Sequence, residues 1–140
     1  MGKINTSNII ITPLKRIELY GGDVLHALKN NEIGFDYFGE AYFSIIKFDV
    51  IKGWKCHTKM TMNLIVPVGD VKFVFFEQNQ FQIIEIGENN YSRITVPPGI
   101  WFGFKGIGLN INLVLNIANL RHQPEEVKRK EISEIKFNWE

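Results

Sequence analysis

The stretch Lys52-Gly-Trp-Lys-Cys-His57 carries the residue types needed to move a proton. In an extended strand side chains alternate, so Lys55, His57 and Lys59 project to one face while Trp54, Cys56 and Thr58 project to the other. Like charges beside an imidazole favour its neutral form, which is the form a general base needs. The same ammonium groups attract a phosphate or a developing enolate oxygen. The pattern therefore suits proton abstraction beside a carbonyl. It also fits a blander arrangement, a basic edge strand facing water with one histidine in it.

Farther along, Val96-Pro-Pro-Gly-Ile-Trp-Phe-Gly-Phe104 places a proline-glycine turn ahead of an aromatic strand. The elements needed to bring these two stretches together are visible as short runs rich in Val, Ile and Phe: Ile9 to Thr12, Ala41 to Asp49, Met62 to Val68, Val71 to Phe76, Phe81 to Ile86, Ser92 to Val96 and Ile111 to Ile117. Gly69-Asp70, Glu77 to Gln80 and Gly87 to Asn90 separate them with residues that tolerate the positive φ of tight turns. The spacing predicts consecutive antiparallel strands in an all-β sandwich or barrel. Val24 to Asn30 fits a short helix or a strand equally. The segment from Gln123 to Glu131 opens with Pro and alternates acids with bases, which predicts a helical turn or a solvated surface stretch.

At 140 residues with 45% apolar and 13% aromatic side chains, the chain has the material for one domain with a real core. The expected division is an N-terminal strand region over 1–20, a barrel over 40–119 and a surface tail over 120–140. Sixteen basic against fifteen acidic residues give a net charge of +1, which offers neither nucleic acid nor a membrane an electrostatic footprint. The single cysteine, Cys56, excludes an internal disulfide framework and suits a reducing compartment. Met1 to Ser7 has no basic flank followed by an apolar stretch, and no apolar run reaches membrane-spanning length. A cytoplasmic, soluble protein is expected.

The Pro97-Pro98-Gly99 entry resembles the one that double-stranded β-helix proteins, the cupins, use before a ligand-facing strand. Metal-dependent cupins bind their ion with a histidine pair, a nearby glutamate and a later histidine. Here His57 has no histidine at its second or third neighbour, and Phe102 stands at the later position. No metal and no cofactor is expected.

Further blocks, Phe38-Gly-Glu-Ala-Tyr-Phe-Ser44, Met60-Thr-Met-Asn-Leu64, Gly87-Glu-Asn-Asn-Tyr91, Gly103-Phe-Lys-Gly106 and Glu134-Ile-Lys-Phe-Asn-Trp139, extend the resemblance over nearly the whole chain. Together they resemble the dTDP-4-dehydrorhamnose 3,5-epimerase-like proteins, in a short branch of that family. The resemblance implies a single-domain cupin jelly roll that pairs as a homodimer, with Ile9 to Thr12 available as an exchanged strand. It implies a histidine base, at the position of His57, that removes a proton next to the C4 ketone of a nucleotide-linked 4-keto-6-deoxy hexose, in surface-polysaccharide synthesis. In the family a tyrosine returns the proton and basic residues hold the diphosphate. Here Trp54 stands for the family's arginine, Asn63 for its lysine and Leu115 for its tyrosine.

Lys55 and Lys59 are then the candidate replacement cations, and Tyr42 or Tyr91 the candidate proton donor. Glu77 matches an acidic family position and could orient His57, or could be a turn carboxylate in water. Asn63 and Asn116 are candidate sugar contacts, though Asn116 also suits a satisfied polar residue inside the barrel. Trp101 and Phe102 are candidates for stacking on a base, or for core. Two functions stay open: an isomerase or epimerase, and a non-catalytic cupin that binds a nucleotide sugar or assists another enzyme of glycan synthesis.

Overall fold

The computed structural model describes residues 8–140; residues 1–7, the start of the expected N-terminal region, lie outside the described residues. The strands in chain order are β1 (Ile10–Pro13), β2 (Arg16–Ile17), β3 (Val24–Leu25), β4 (Glu40–Lys47), β5 (Ile51–His57), β6 (Met62–Val68), β7 (Asp70–Glu77), β8 (Gln80–Gly87), β9 (Ser92–Val96), β10 (Trp101–Gly106), β11 (Ile111–Ala118) and β12 (Val127–Arg129). Two antiparallel five-stranded sheets result, one in the order β1-β9-β6-β11-β4 and the other β12-β5-β10-β7-β8. The fold is the all-β cupin barrel that the run spacing and the resemblance predict. Of the undecided stretch Val24 to Asn30, only Val24–Leu25 forms a strand, paired with β2 in a small third sheet, and the rest is irregular. β1 pairs with β9 of the same chain, Ile10 opposite Thr95.

Alternation decides which side chains fill the barrel. Phe73 and Phe75 on β7, Phe102 and Phe104 on β10, Met62 and Leu64 on β6, and Ile46 and Val114 on β4 and β11 converge in the main core. The other face of the second sheet carries its own cluster, Trp54, Val74, Ile135 and Trp139. That cluster anchors the segment expected as a surface tail. Ile135 and Trp139 are buried, the Trp54 indole N–H donates to the Ile132 carbonyl at 3.2 Å, and Lys105 Nζ donates to the Trp139 carbonyl at 3.0 Å. Burial of a large apolar side chain stabilises by roughly 1.5–3 kcal/mol, so Ile135 and Trp139 fasten the segment to the second sheet at two points while most of its other residues stay exposed.

The first sheet is covered outside by the segment between β1 and β4, and a buried cation fastens it. Arg93 on β9 has no exposed surface; Nη1 donates to the Ala27 carbonyl at 2.6 Å and pairs with Glu32 at 3.2 Å, while Nη2 donates to the Ile33 carbonyl at 3.2 Å.

Candidate functional site

His57 ends β5, and its carbonyl accepts the Gly99 N–H at 2.7 Å, so the Pro97-Pro98-Gly99 turn docks on the backbone of His57. Gly99 sits at φ +90°, a conformation that L side chains rarely adopt. The imidazole is 7% exposed and stacks on Phe102 at 6.0 Å between ring centroids. Its Nδ1 lies 2.5 Å from a carboxylate oxygen of Glu126, which is 1% exposed at the end of the 3-10 turn Pro124–Glu126. The other oxygen of Glu126 accepts the N–H groups of Lys59 at 2.9 Å and Met60 at 3.1 Å. Burial alone would raise the Glu126 carboxyl, but the hydrogen bonds from His57, Lys59 and Met60 outweigh it and hold the group below the ordinary glutamate value. An ionised Glu126 takes the Nδ1–H and fixes the tautomer that leaves Nε2 unprotonated.

His57 lines a cavity of about 420 Å³ between the two sheets, within the size range of small-molecule sites. The opposite sheet contributes Tyr42 and Ser44 from β4 and Val114 and Asn116 from β11. Tyr42 and Asn116 are cross-strand partners, and Asn116 Nδ2 donates to the Tyr42 hydroxyl at 3.1 Å. Met62, Leu64, Phe73 and Phe104 form the apolar floor and wall. A base supported by a carboxylate on one sheet therefore faces a phenol on the other.

The mouth is cationic. Lys52, Lys55, Arg129 and Lys130 line it together with Glu131 and Glu134. Lys52 and Lys55, three positions apart, would fall on opposite faces of a regular strand, but the pairing of β10 with β5 shifts register between Phe102 and Gly103 and makes Trp54 the extra residue. The bulge turns both lysines to the cavity. Arg129 lies opposite Lys55 in the β12–β5 pairing, and among the described residues neither meets a carboxylate at ion-pair distance. Burial, then the charges of Arg129 and Lys52, pull the Lys55 ammonium below the ordinary lysine value. Lys130 sits over the Trp101 ring at 5.0 Å.

The sequence expectations divide accordingly. His57, Lys55 and Asn116 meet in the cavity, with Tyr42 and Phe102. Lys59 does not: β5 stops at His57, so the alternation ends before Lys59, whose backbone N–H binds Glu126 instead. Glu77 is not the carboxylate on His57; it closes the β7–β8 hairpin opposite Gln80, and Glu126 holds Nδ1. Asn63 alternates away from Met62 and Leu64 and bonds the Thr95 hydroxyl and the Gly34 carbonyl. Trp101 points to the outer aromatic cluster rather than the cavity. Tyr91 donates to the His26 carbonyl, outside the cavity. Leu115, at the family's tyrosine position, alternates away from Val114 and Asn116. Glu126, Lys52, Arg129 and Lys130 were missed; only the Pro before an acid-base alternation marks the segment of Glu126, Arg129 and Lys130, while Lys52 stands on β5 before the bulge. Among the described residues no group of three or more His, Cys, Asp or Glu side chains gathers as a metal site, and no helix is long and apolar enough to cross a membrane.

The fold and site define a two-sheet cupin with a carboxylate-supported histidine facing a tyrosine across a cation-rimmed cavity. Solved structures of the same shape are sugar-nucleotide enzymes. A dTDP sugar isomerase from Desulfovibrio desulfuricans G20 superposes with a TM-score of 0.89 at 31% identity, covering 94% of this chain and 90% of that one. The chain belongs to the dTDP-4-dehydrorhamnose 3,5-epimerase-like family of sugar isomerases and epimerases. The sugar 3,4-ketoisomerase QdtA of Thermoanaerobacterium thermosaccharolyticum shares the fold at TM-score 0.78 and 20% identity, over 90% of each chain. A dTDP-4-dehydrorhamnose 3,5-epimerase from Sulfolobus tokodaii does so at 0.80 and 18%, over 96% of this chain and 84% of its own. By sequence the chain is 22% identical over 123 residues to the spore coat polysaccharide biosynthesis protein SpsL of Bacillus subtilis strain 168, covering 80% of this chain and 82% of that protein. No family model matches the sequence.

Proposed function

We propose that the protein is a nucleotide-sugar isomerase that moves a proton on the carbon beside the C4 ketone of a nucleotide-linked 4-keto-6-deoxy hexose, in the synthesis of a surface polysaccharide. The observation that carries this reading is the pairing of His57 Nδ1 with ionised Glu126 inside a cavity whose opposite wall presents the Tyr42 hydroxyl. His57 Nε2 takes the proton from the carbon next to the ketone. The electron pair moves to the ketone oxygen as an enolate, and the Tyr42 O–H supplies a proton from the opposite side. Isomerisation and epimerisation share the first step and differ in which atom is reprotonated.

The diphosphate belongs at the mouth. Lys55 and Arg129 are crowded cations without a carboxylate partner among the described residues, so an anion with several oxygens relieves their repulsion. The family relatives that act on dTDP and TDP sugars support a thymidine nucleotide as the first candidate. A homodimer is part of the same proposal: on edge strand β4, Phe43 is 63% and Ile45 52% exposed, and a second copy would cover that apolar strip. The proposed compartment is the cytoplasm.

The test is a proton NMR assay of the native protein with dTDP-, UDP-, GDP- and CDP-linked 4-keto-6-deoxy sugars. A new sugar isomer from one nucleotide series is the expected result. Ligand-induced shifts without any new isomer would favour the binding-module alternative.

A further inference from the structure

We infer that Asn116 is the positioning residue that turns the Tyr42 hydroxyl proton toward the cavity and steadies the phenolate once that proton has left; the inference rests on Tyr42 as the proton donor proposed above. Its ground is a chain of hydrogen bonds whose polarity is forced. Asn116 Oδ1 lies 3.2 Å from the backbone N–H of Asn63, a group that can only donate, so the carbonyl end of the amide must face it. Nδ2 then lies 3.1 Å from the Tyr42 hydroxyl and 4.0 Å from Met60 Sδ.

An NH2 group has no acceptor capacity. The Tyr42 oxygen therefore accepts, and its own proton points elsewhere. Among the described residues Tyr42 donates to no protein acceptor, and it lines the same cavity as His57. The proton is directed at whatever the cavity holds.

Reaction alters this hydrogen bond. When the O–H bond breaks and a C–H bond forms on the enolate carbon, the N–H of Asn116 faces a phenolate rather than a phenol, and charge-assisted hydrogen bonds are roughly twice as strong as neutral ones. Asn116 itself is buried, and Met62, Leu64, Phe73 and Val114 line the same cavity with apolar surface. An interaction that strengthens along the reaction raises kcat rather than lowering KM. His57 keeps the abstracted proton, and imidazolium and phenolate return to their starting forms by exchange with water, so protons balance over one turnover.

Asn116→Asp keeps the side-chain shape and the acceptor for the Asn63 N–H while removing the donor to Tyr42. The expected result is a kcat about 10-fold to 100-fold lower with KM within about 2-fold, the range for losing a hydrogen bond to a charged group. In a Tyr42→Phe background the same substitution should change kcat by less than about 2-fold, because the group it serves is gone. Independently of turnover, the Tyr42 ring Cζ resonance, assigned by its loss in Tyr42→Phe, should move in Asn116→Asp. Asn116→Leu, checked by circular dichroism, serves as the second variant if the first does not fold.

An unmoved Tyr42 resonance in a folded Asn116 variant, or an equal rate loss in both tyrosine backgrounds, would overturn the inference. A native protein inert toward every sugar would instead remove the isomerase reading, and the resonance alone would then decide the link between Asn116 and Tyr42.

Discussion

Glu126 and His57 meet at 2.5 Å although 69 positions separate them along the chain. The contact exists because the tail folds back: β12, directly after Glu126, pairs with β5, directly before the end at His57, and Val127 stands opposite His57. The last twenty residues thus supply the carboxylate that orients the base and two of the cations at the cavity mouth.

Replacing that carboxylate tests the orientation. Glu126→Gln retains the size but presents an NH2 group to three donors, the His57 Nδ1–H and the N–H groups of Lys59 and Met60, of which it can satisfy fewer. Turnover should fall about 10-fold to 100-fold, the scale of losing an orienting partner. Stability should fall by about 3 kcal/mol, as when one member of a buried pair is removed. Steady-state kinetics and urea unfolding measure the two losses.

Acid should weaken the fold through the same group. The Glu126 carboxyl sits lower in the folded protein than the ordinary value of 4.5, so its contribution is complete above that value and is lost as pH falls through the lower folded value. Asp23, held down first by Arg16, and Glu32, held down first by the Lys29 N–H, act in the same direction. The difference between native protein and Glu126→Gln in urea midpoint against pH isolates Glu126: it should shrink as pH falls below about 4.5.

Arg129→Ala should weaken binding without altering the chemistry. Losing a mouth cation is expected to raise KM for a nucleotide sugar by about 10-fold with kcat nearly unchanged, and to flatten the dependence of KM on salt. A titration series at several ionic strengths reads both effects.

Trp139→Ala addresses the anchor of the tail. Trp139 is 7% exposed and packs on Trp54 with ring centroids 5.5 Å apart. Its loss should cost about 3–5 kcal/mol, measured by thermal or urea unfolding. It should also lower turnover, because Trp54, on which Trp139 packs, exchanges two backbone hydrogen bonds with Lys130, directly after the strand that follows Glu126.

Much of the barrel was legible because strand alternation and turn residues are local signals: the runs at Met62 and Ser92 coincide with β6 and β9 at both ends. His57 and Lys55 were legible for the same reason. Lys59 was not, since two-residue periodicity holds only while the strand lasts and β5 ends at His57. Lys52 was hidden by the bulge at Trp54, which reverses the face of every residue before it. Glu126 was hidden by distance in sequence: a glutamate after Gln123-Pro124, among alternating charges, has the local signature of a solvated turn. Family position pointed to Glu77, yet only the pairing of β12 with β5 determines which carboxylate reaches the imidazole. Asn116 was legible as a polar residue on the inward face of β11, and its role depended on Tyr42 standing opposite it.

The most direct test of the central claim is deuterium incorporation from D2O at the carbon beside the ketone, followed by NMR for native protein, His57→Asn and Tyr42→Phe with the nucleotide sugar that the panel identifies. The account predicts exchange with native protein, none with His57→Asn, and retained exchange with isomer formation strongly slowed in Tyr42→Phe, because removal of the proton precedes its return. Exchange in His57→Asn at the native rate would contradict it, since the base would then lie elsewhere.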